Sequence, residues 1–433
     1  MIEITILLLL FVGLLIALYV IGVPVAFAMI TVSVIVMLSP WGGGEISYPA
    51  ISGNLLHGLN TFSLLAIPLY LMLGRLMNSI GMTEDIFAFA NALVGQFRGG
   101  IAYVNIMAST FFAGMSGAAV ADAAGLGRIE YKAMRDYGYG ERISIGLIGS
   151  SALIGPIIPP SIPLILYGVI AEESIGALFV AGIIPGLLLA VSLMITVYIL
   201  AWRNNYSPTS EFSLGELGRT FVRAFPVLII PGIIIGGILG GYFTATEAGA
   251  VALIYLFLLA TIQKRLTLST LISEIRDSAI ETFAITFIIA AAFVYGAVAV
   301  EVRLPFILGD AISELTENPV LILFIITISL LIIGMFMEPA AAITVVVPIF
   351  APMIELVDID PIHFGIVLVL ALMVGLITPP LGVVLFVLDK VTDVALEEIF
   401  RAMPFFYIPV VIVLILLILV PDLTLALPEL AGL

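Results

Sequence analysis

The chain has 433 residues, of which 62% are hydrophobic and only 10% charged, with a mean hydropathy of +1.28 and a formal net charge of −15. A soluble domain carries about 25% charged residues, so these values describe a polytopic membrane protein with no room for a separate ATP-hydrolysing module and no basic face for nucleic acid. Without cysteine there is neither a disulfide framework nor thiol chemistry, and any energy the protein uses must come from an ion gradient.

Segments with the roughly 20 apolar residues that a span needs fall, in chain order, at about 3–20, 23–39, 62–80, 143–170, 176–201, 224–241, 245–262, 278–300, 362–389 and 403–421. The first lacks the basic start and small-residue cleavage site of a signal peptide and reads as a retained helix. Two further apolar stretches, 100–127 and 318–356, read as re-entrant hairpins. The first is rich in Gly, Ala and Ser from Gly114 to Gly125, and the second turns at Glu338-Pro339. Glu84 to Phe97 is apolar on one side only, as an interfacial helix would be. Leu304 to Leu315 holds the same place in the second half.

Both halves carry the same interruption. Gly114-Met115 recurs as Gly334-Met335, Gly155 as Gly375, and Pro159-Pro160 as Pro379-Pro380, always 220 positions later (334 − 114 = 220). Paired prolines remove backbone donors and clash with the preceding turn. In lipid the freed polar groups are tolerated only where protein, an ion or a substrate satisfies them. Duplicated interruptions of this kind mark the midplane site of a secondary transporter. Residues 1–220 and 221–433 are therefore two repeats, each with scaffold helices, an interfacial arm, a hairpin and a broken helix.

Charge sets the orientation. If the first hairpin enters from the cytoplasm and the second from outside, 14 of the 15 basic residues are cytoplasmic and only Arg303 is outside. The outer loops then carry acids such as Glu45, Glu172, Glu173, Asp358, Asp360 and Asp422. Five spans separate equivalent points, so the second half is inverted relative to the first. The expected fold is all-α, with an inverted-topology repeat, two re-entrant hairpins and two broken helices, the duplication expected of alternating access.

The stretch from Gly114-Met115-Ser116-Gly117 through Asp122, then Gly155-Pro156-Ile157-Ile158-Pro159-Pro160-Ser161, then Thr244-Ala245-Thr246-Glu247-Ala248-Gly249, resembles the large membrane subunit of TRAP transporters, the DctM-like family. Three motifs in order, with the likeness running nearly end to end, make it specific. The resemblance implies a sodium-coupled importer of an organic anion in the inner membrane, fed by an extracytoplasmic solute-binding protein and paired with a small four-helix membrane subunit. In some members that subunit is fused; these residues contain no such extension, so a separate one is expected. The resemblance also implies an elevator-type ion-transporter-like fold; 3–39 and 224–262, which have no paired-proline break, are expected to form a static scaffold while 100–201 and 318–421, which carry the breaks, move.

At the breaks, exposed carbonyls suit a hard cation such as sodium, and half-helix N-termini suit a carboxylate. Met115, Ser116 and Gly117, facing Gly155, Ile158 and Ser161, form a first candidate sodium site. Gly334, Phe336 and Met337, facing Gly375 and Thr378, form a second, which makes at least two ions. Substrate is expected between them, touched by Ser116, Asp122, Ser161, Glu338 and Thr378. For Asp122 and Glu338 an ion or substrate role stands beside a structural hydrogen bond that ties the hairpin tip. For Ser116 and Thr378 the alternative is back-bonding within a helix. Glu247 reads as a capping acid after Thr244, and Trp41, Trp202, Tyr206 and Tyr242 as interfacial anchors. No organic cofactor is expected.

Two other functions compete. Gly114-Met115-Ser116-Gly117 fits a serine-nucleophile motif, but the only histidines, His57 and His363, fall at the outer ends of segments, away from hairpin depth. A self-sufficient sodium/dicarboxylate carrier of related architecture would need no binding protein. The Ser-Asn-Thr hairpin signature that such carriers carry is missing here.

Overall fold

The computed structural model describes residues 6–433, with the side chains of Met115, Ser116 and Ala121 outside that description. The start of the expected first span, and the Met115 and Ser116 side chains assigned to the first sodium site, therefore lie outside the described residues. Among the described residues there are helices and no strands.

The first half runs α1 (Ile6–Val20), α2 (Val25–Leu38), α3 (Tyr48–Leu59), α4 (Phe62–Ser79), α5 (Thr83–Val94), α6 (Gly100–Ser116), α7 (Ala119–Gly125), α8 (Gly127–Asp136), α9 (Glu141–Ser151), α10 (Ile162–Ile170) and α11 (Ile175–Asn204). The second half runs α12 (Leu214–Leu239), α13 (Ala245–Ile262), α14 (Leu268–Glu301), α15 (Leu304–Ser313), α16 (Pro319–Phe336), α17 (Pro339–Glu355), α18 (Pro361–Leu376), α19 (Val383–Thr392), α20 (Leu396–Leu419) and α21 (Asp422–Ala431). Seven of these, α4, α11, α12, α13, α14, α16 and α20, are long and apolar enough to cross a bilayer. Most of the expected spans match one helix, and 143–170 and 362–389 each divide at their paired prolines.

Local chemistry explains the helix starts. Pro319 and Pro361 sit at first helical positions, where a missing N–H costs nothing. Asn318 and Asp360 cap those helices, Oδ1 accepting from the Val320 and His363 amides at 2.9 Å each. Thr244 and Glu247 form a reciprocal capping box, so the acid of the Thr-x-x-Glu motif is structural.

Three helices, α3, α8 and α21, were not expected, and α12 and α14 begin about ten residues earlier than their apolar runs. The added N-terminal turns of α14 carry Glu274, Arg276 and Asp277, so hydropathy places its start too late. This 34-residue helix packs on α2, α3 and α4 and also against α17. The approach to α3 is close: a Cβ on Gly58 would stand 2.7 Å from the Phe293 ring.

The two repeats brace each other crosswise. The half-helix α10, after the first break, packs on α17, the return arm of the second hairpin. The half-helix α19, after the second break, packs on α7, the return arm of the first.

Candidate ion and substrate site

The first break is held by its own backbone. After α9 the chain makes a single 3-10 turn, Ala152–Ile154, then runs irregularly to Ser161. Ser161 caps α10, its Oγ accepting from the Leu164 amide at 3.2 Å and donating to the Pro156 carbonyl. The hairpin tip lies directly on this segment. Gly117, with φ of 61°, closes α6, and its carbonyl accepts from the Ile162 amide at 3.3 Å. A Cβ there would stand 2.6 Å from the Pro160 oxygen, so only glycine fits both the left-handed conformation and the space. Asp122 is 2% exposed, and its Oδ2 fills the place where a side chain on Gly155 would go.

The second break repeats the arrangement. The Gly382 amide, 220 positions after Ile162, donates to the Met335 carbonyl at 3.2 Å, two residues short of the equivalent of Gly117 (117 + 220 = 337). Gly334 and Gly375 touch backbone to backbone, a Cβ on Gly375 standing 2.5 Å from the Gly334 carbonyl carbon. Glu338 caps α17, Oε2 accepting from the Ala340 and Ala341 amides at 3.0 and 3.3 Å. That is the hydrogen-bonding role named above as its alternative. The Thr378 hydroxyl donates to the Val374 carbonyl at 2.6 Å, and the Tyr407 hydroxyl to the Ile377 carbonyl at 2.7 Å.

The structure thus brings together Gly117, Gly155, Asp122 and Ser161 at one break and Gly334, Gly375 and Thr378 at the other. Ile158 instead turns its side chain into the space over Gly186 on α11. The side chains of Phe336 and Met337 line an apolar crevice of about 870 Å³ with Tyr19 and Val20 of α1. The Ser161 hydroxyl both donates and accepts within the chain, whereas the Thr378 hydroxyl only donates and keeps its oxygen lone pairs. Among the described residues no group of three or more His, Cys, Asp or Glu side chains is arranged to hold a metal ion.

A cavity of about 80 Å³ lies between the hairpin tips, lined by Ala118, Pro156, Ile162, Glu281, Glu338 and Ala340, among others. A larger one of about 490 Å³ opens beside the first hairpin, between α4 and α14. The two share Ala118, Ile162 and Glu281. Sequence reasoning missed Glu281, which continues an apolar run; its one flag was a carboxylate four residues after Asp277. It also missed the buried polar group of Asn105, Ser109, Glu130 and Ser151 behind the first hairpin. There Ser151 Oγ donates to Asn105 Oδ1 at 2.9 Å, and the Ser109 and Asn105 side chains stand beside the Glu130 carboxyl. Burial, and secondarily the charge of Asp122, raises the Glu130 carboxyl well above the usual carboxylate range. Glu130 sits on the polar helix α8, outside the spans. Polar residues in an apolar hairpin arm were the available signal.

The histidines required by a serine nucleophile are engaged elsewhere. His57 Nε2 meets Glu172 at 3.4 Å, and His363 Nδ1 bonds Thr424 Oγ1 at 2.8 Å.

Comparisons with known proteins identify the family. Residues 12–423 match the family described as the DctM component of tripartite ATP-independent periplasmic transporters. The chain is 41% identical over 410 residues to the sialic acid TRAP transporter large permease protein SiaM of Vibrio cholerae, covering 94% of this chain and 95% of that one. It is 35% identical to the 2,3-diketo-L-gulonate TRAP transporter large permease protein YiaN of Escherichia coli (96% and 97% covered). It is 37% identical to the C4-dicarboxylate TRAP transporter large permease protein DctM of Pseudomonas aeruginosa (86% and 87% covered). Among solved structures, the YdaH transporter of Alcanivorax borkumensis shares the fold with a TM-score of 0.60 at 14% identity, covering 88% of this chain and 89% of that one. With transporter subunits as its relatives, the protease reading falls away. The chain belongs to the DctM family, the large permease subunits of TRAP transporters, multi-pass proteins of the inner membrane.

Proposed function

We propose that this permease imports an organic anion by sodium symport, with a small four-helix membrane subunit as its partner and an extracytoplasmic binding protein as its source of substrate. The observation that carries the reading is the duplicated seating of each hairpin tip on a broken helix, the Gly117–Ile162 and Met335–Gly382 bonds. Each seat gathers backbone carbonyls beside a half-helix N-terminus, which suits a cation and a carboxylate side by side. Two such seats hold at least two sodium ions, one near Met115, Ser116, Gly117 and Gly155, the other near Gly334, Gly375 and Thr378. The substrate lies between, in the small cavity bounded by the tips.

The packing supports an elevator. The hairpins and half-helices interlock across the repeats, so they move as one body, while α1, α2, α12 and α13 carry no paired-proline break and stay fixed. Positive-inside counting makes the larger cavity cytoplasmic. Relatives named for sialic acid, diketogulonate and C4-dicarboxylates support an acidic substrate.

The test is reconstitution. Proteoliposomes holding both membrane subunits, with binding protein outside, should take up labelled sialic acid or succinate only under an inward sodium gradient. Equal uptake without sodium would overturn the coupling. Uptake by the large subunit alone, without binding protein, would favour the self-sufficient carrier.

A further inference from the structure

Arg75 is the one cation among the residues lining the two cavities, and it is outnumbered. Its Nε meets Glu274 at 3.1 Å, its Nη2 meets Asp277 at 3.0 Å and its Nη1 meets Glu281 at 3.6 Å, all three acids on α14. One positive charge against three negative leaves two uncompensated. Glu281 makes the longest of these contacts and keeps 46% of its side chain exposed. It is also the charged residue common to both cavities, standing where the space between the tips joins the larger vestibule. A cleft lined with one sign of charge and walled by apolar helices focuses that field, and charges are screened less there than in open water.

We propose that the vestibule rejects anions and admits cations, with Glu281 setting that bias at the hairpin tip. Its meaning for transport rests on the organic-anion reading above: a released anion is pushed outward and opposed on return, while sodium passes freely. A mere staple between α4 and α14 would stabilise the scaffold and impose no such selectivity.

The protein has no cysteine, so one reporter thiol can read the local potential. Ala118→Cys, beside Glu281 in both cavities, is to be treated in the two-subunit complex with a positively charged and a negatively charged methanethiosulfonate, each rate divided by that for a free thiol. The cationic reagent should react about tenfold faster relative to the anionic one. The preference should fall at least threefold with Glu281→Gln added, and also in about 1 M salt, where the Debye length is about 3 Å. Ser79→Cys, on the same vestibule, is the second reporter should the tip variant fail to fold. A preference near one, or one unchanged by both Glu281→Gln and salt, overturns the inference. Sodium-driven uptake is read separately, so its failure would strike the proposed function and leave the electrostatic result standing.

Discussion

Gly334 and Gly375 lie backbone against backbone, on the outgoing arm of the second hairpin and at the end of the helix it covers. A Cβ on Gly334 would stand 2.7 Å from the Leu372 carbonyl oxygen, and one on Gly375 would stand 2.6 Å from Gly334 Cα. Small residues let helix backbones approach in this way, and in lipid such contacts are a main source of association energy.

Gly375→Ala should therefore separate hairpin from helix. We expect a loss on the order of 2–4 kcal/mol, as for other overpacked buried sites, and uptake reduced to background. Gly236→Ala, where the added methyl meets nothing within 4 Å, is the control. Thermal unfolding of the two variants in detergent checks the contrast, and equal melting temperatures would refute the close-packing account.

Thr378 bears on the second ion seat. Thr378→Val removes the hydroxyl while keeping the shape, and should raise the sodium concentration for half-maximal uptake several-fold. Thr378→Ser should keep it near wild type. If both variants match wild type, the hydroxyl serves only its bond to Val374, and the ion sits elsewhere on the tip.

Glu130 yields a pH dependence. A free glutamate titrates near pH 4.3, and burial raises Glu130 well above that in the folded protein. Folding then favours the protonated form, so this stability is fully present below about pH 4 and is lost as pH rises through the folded value. Glu130→Gln cannot ionise. Its melting temperature relative to wild type should climb between about pH 5 and about pH 8. A constant gap across that range would show that Glu130 is not held neutral.

Topology has its own check. A membrane-impermeant thiol reagent should label Lys132→Cys, after the first hairpin, only from the cytoplasm, and Glu317→Cys, before the second, only from outside. Both residues are exposed. Labelling of both from one face would refute the inverted repeat.

Much of this architecture was legible from the chain. Breaks at Pro159-Pro160 and Pro379-Pro380 are local and show in any reading of the sequence, and so does the capping acid Glu247 after Thr244. Glu338 and Thr378 show where such reading stops. Their residue types were right for ion or substrate contact, yet their hydrogen bonds go to adjacent backbone, a choice set by tip geometry that spacing does not reveal. Arg75 and Glu281 were illegible for another reason. They lie 206 residues apart (281 − 75 = 206), and only the packing of α14 on α4 makes them partners. The helices α3, α8 and α21 escaped because they are short or polar and need neighbours to form.

The crosswise bracing of the repeats bears on biosynthesis. The return arm of the first hairpin ends at Gly125, yet the half-helix that covers it begins at Val383, 258 residues later (383 − 125 = 258). At about 5–20 residues per second, a ribosome takes roughly 13–50 s to supply that partner. Throughout that interval a seven-residue, alanine-rich arm carrying Asp122 must wait in the bilayer or at its surface. The nascent first half is thus the stage most exposed to quality-control proteolysis, and truncated chains ending before Val383 should be degraded even though every earlier span is complete.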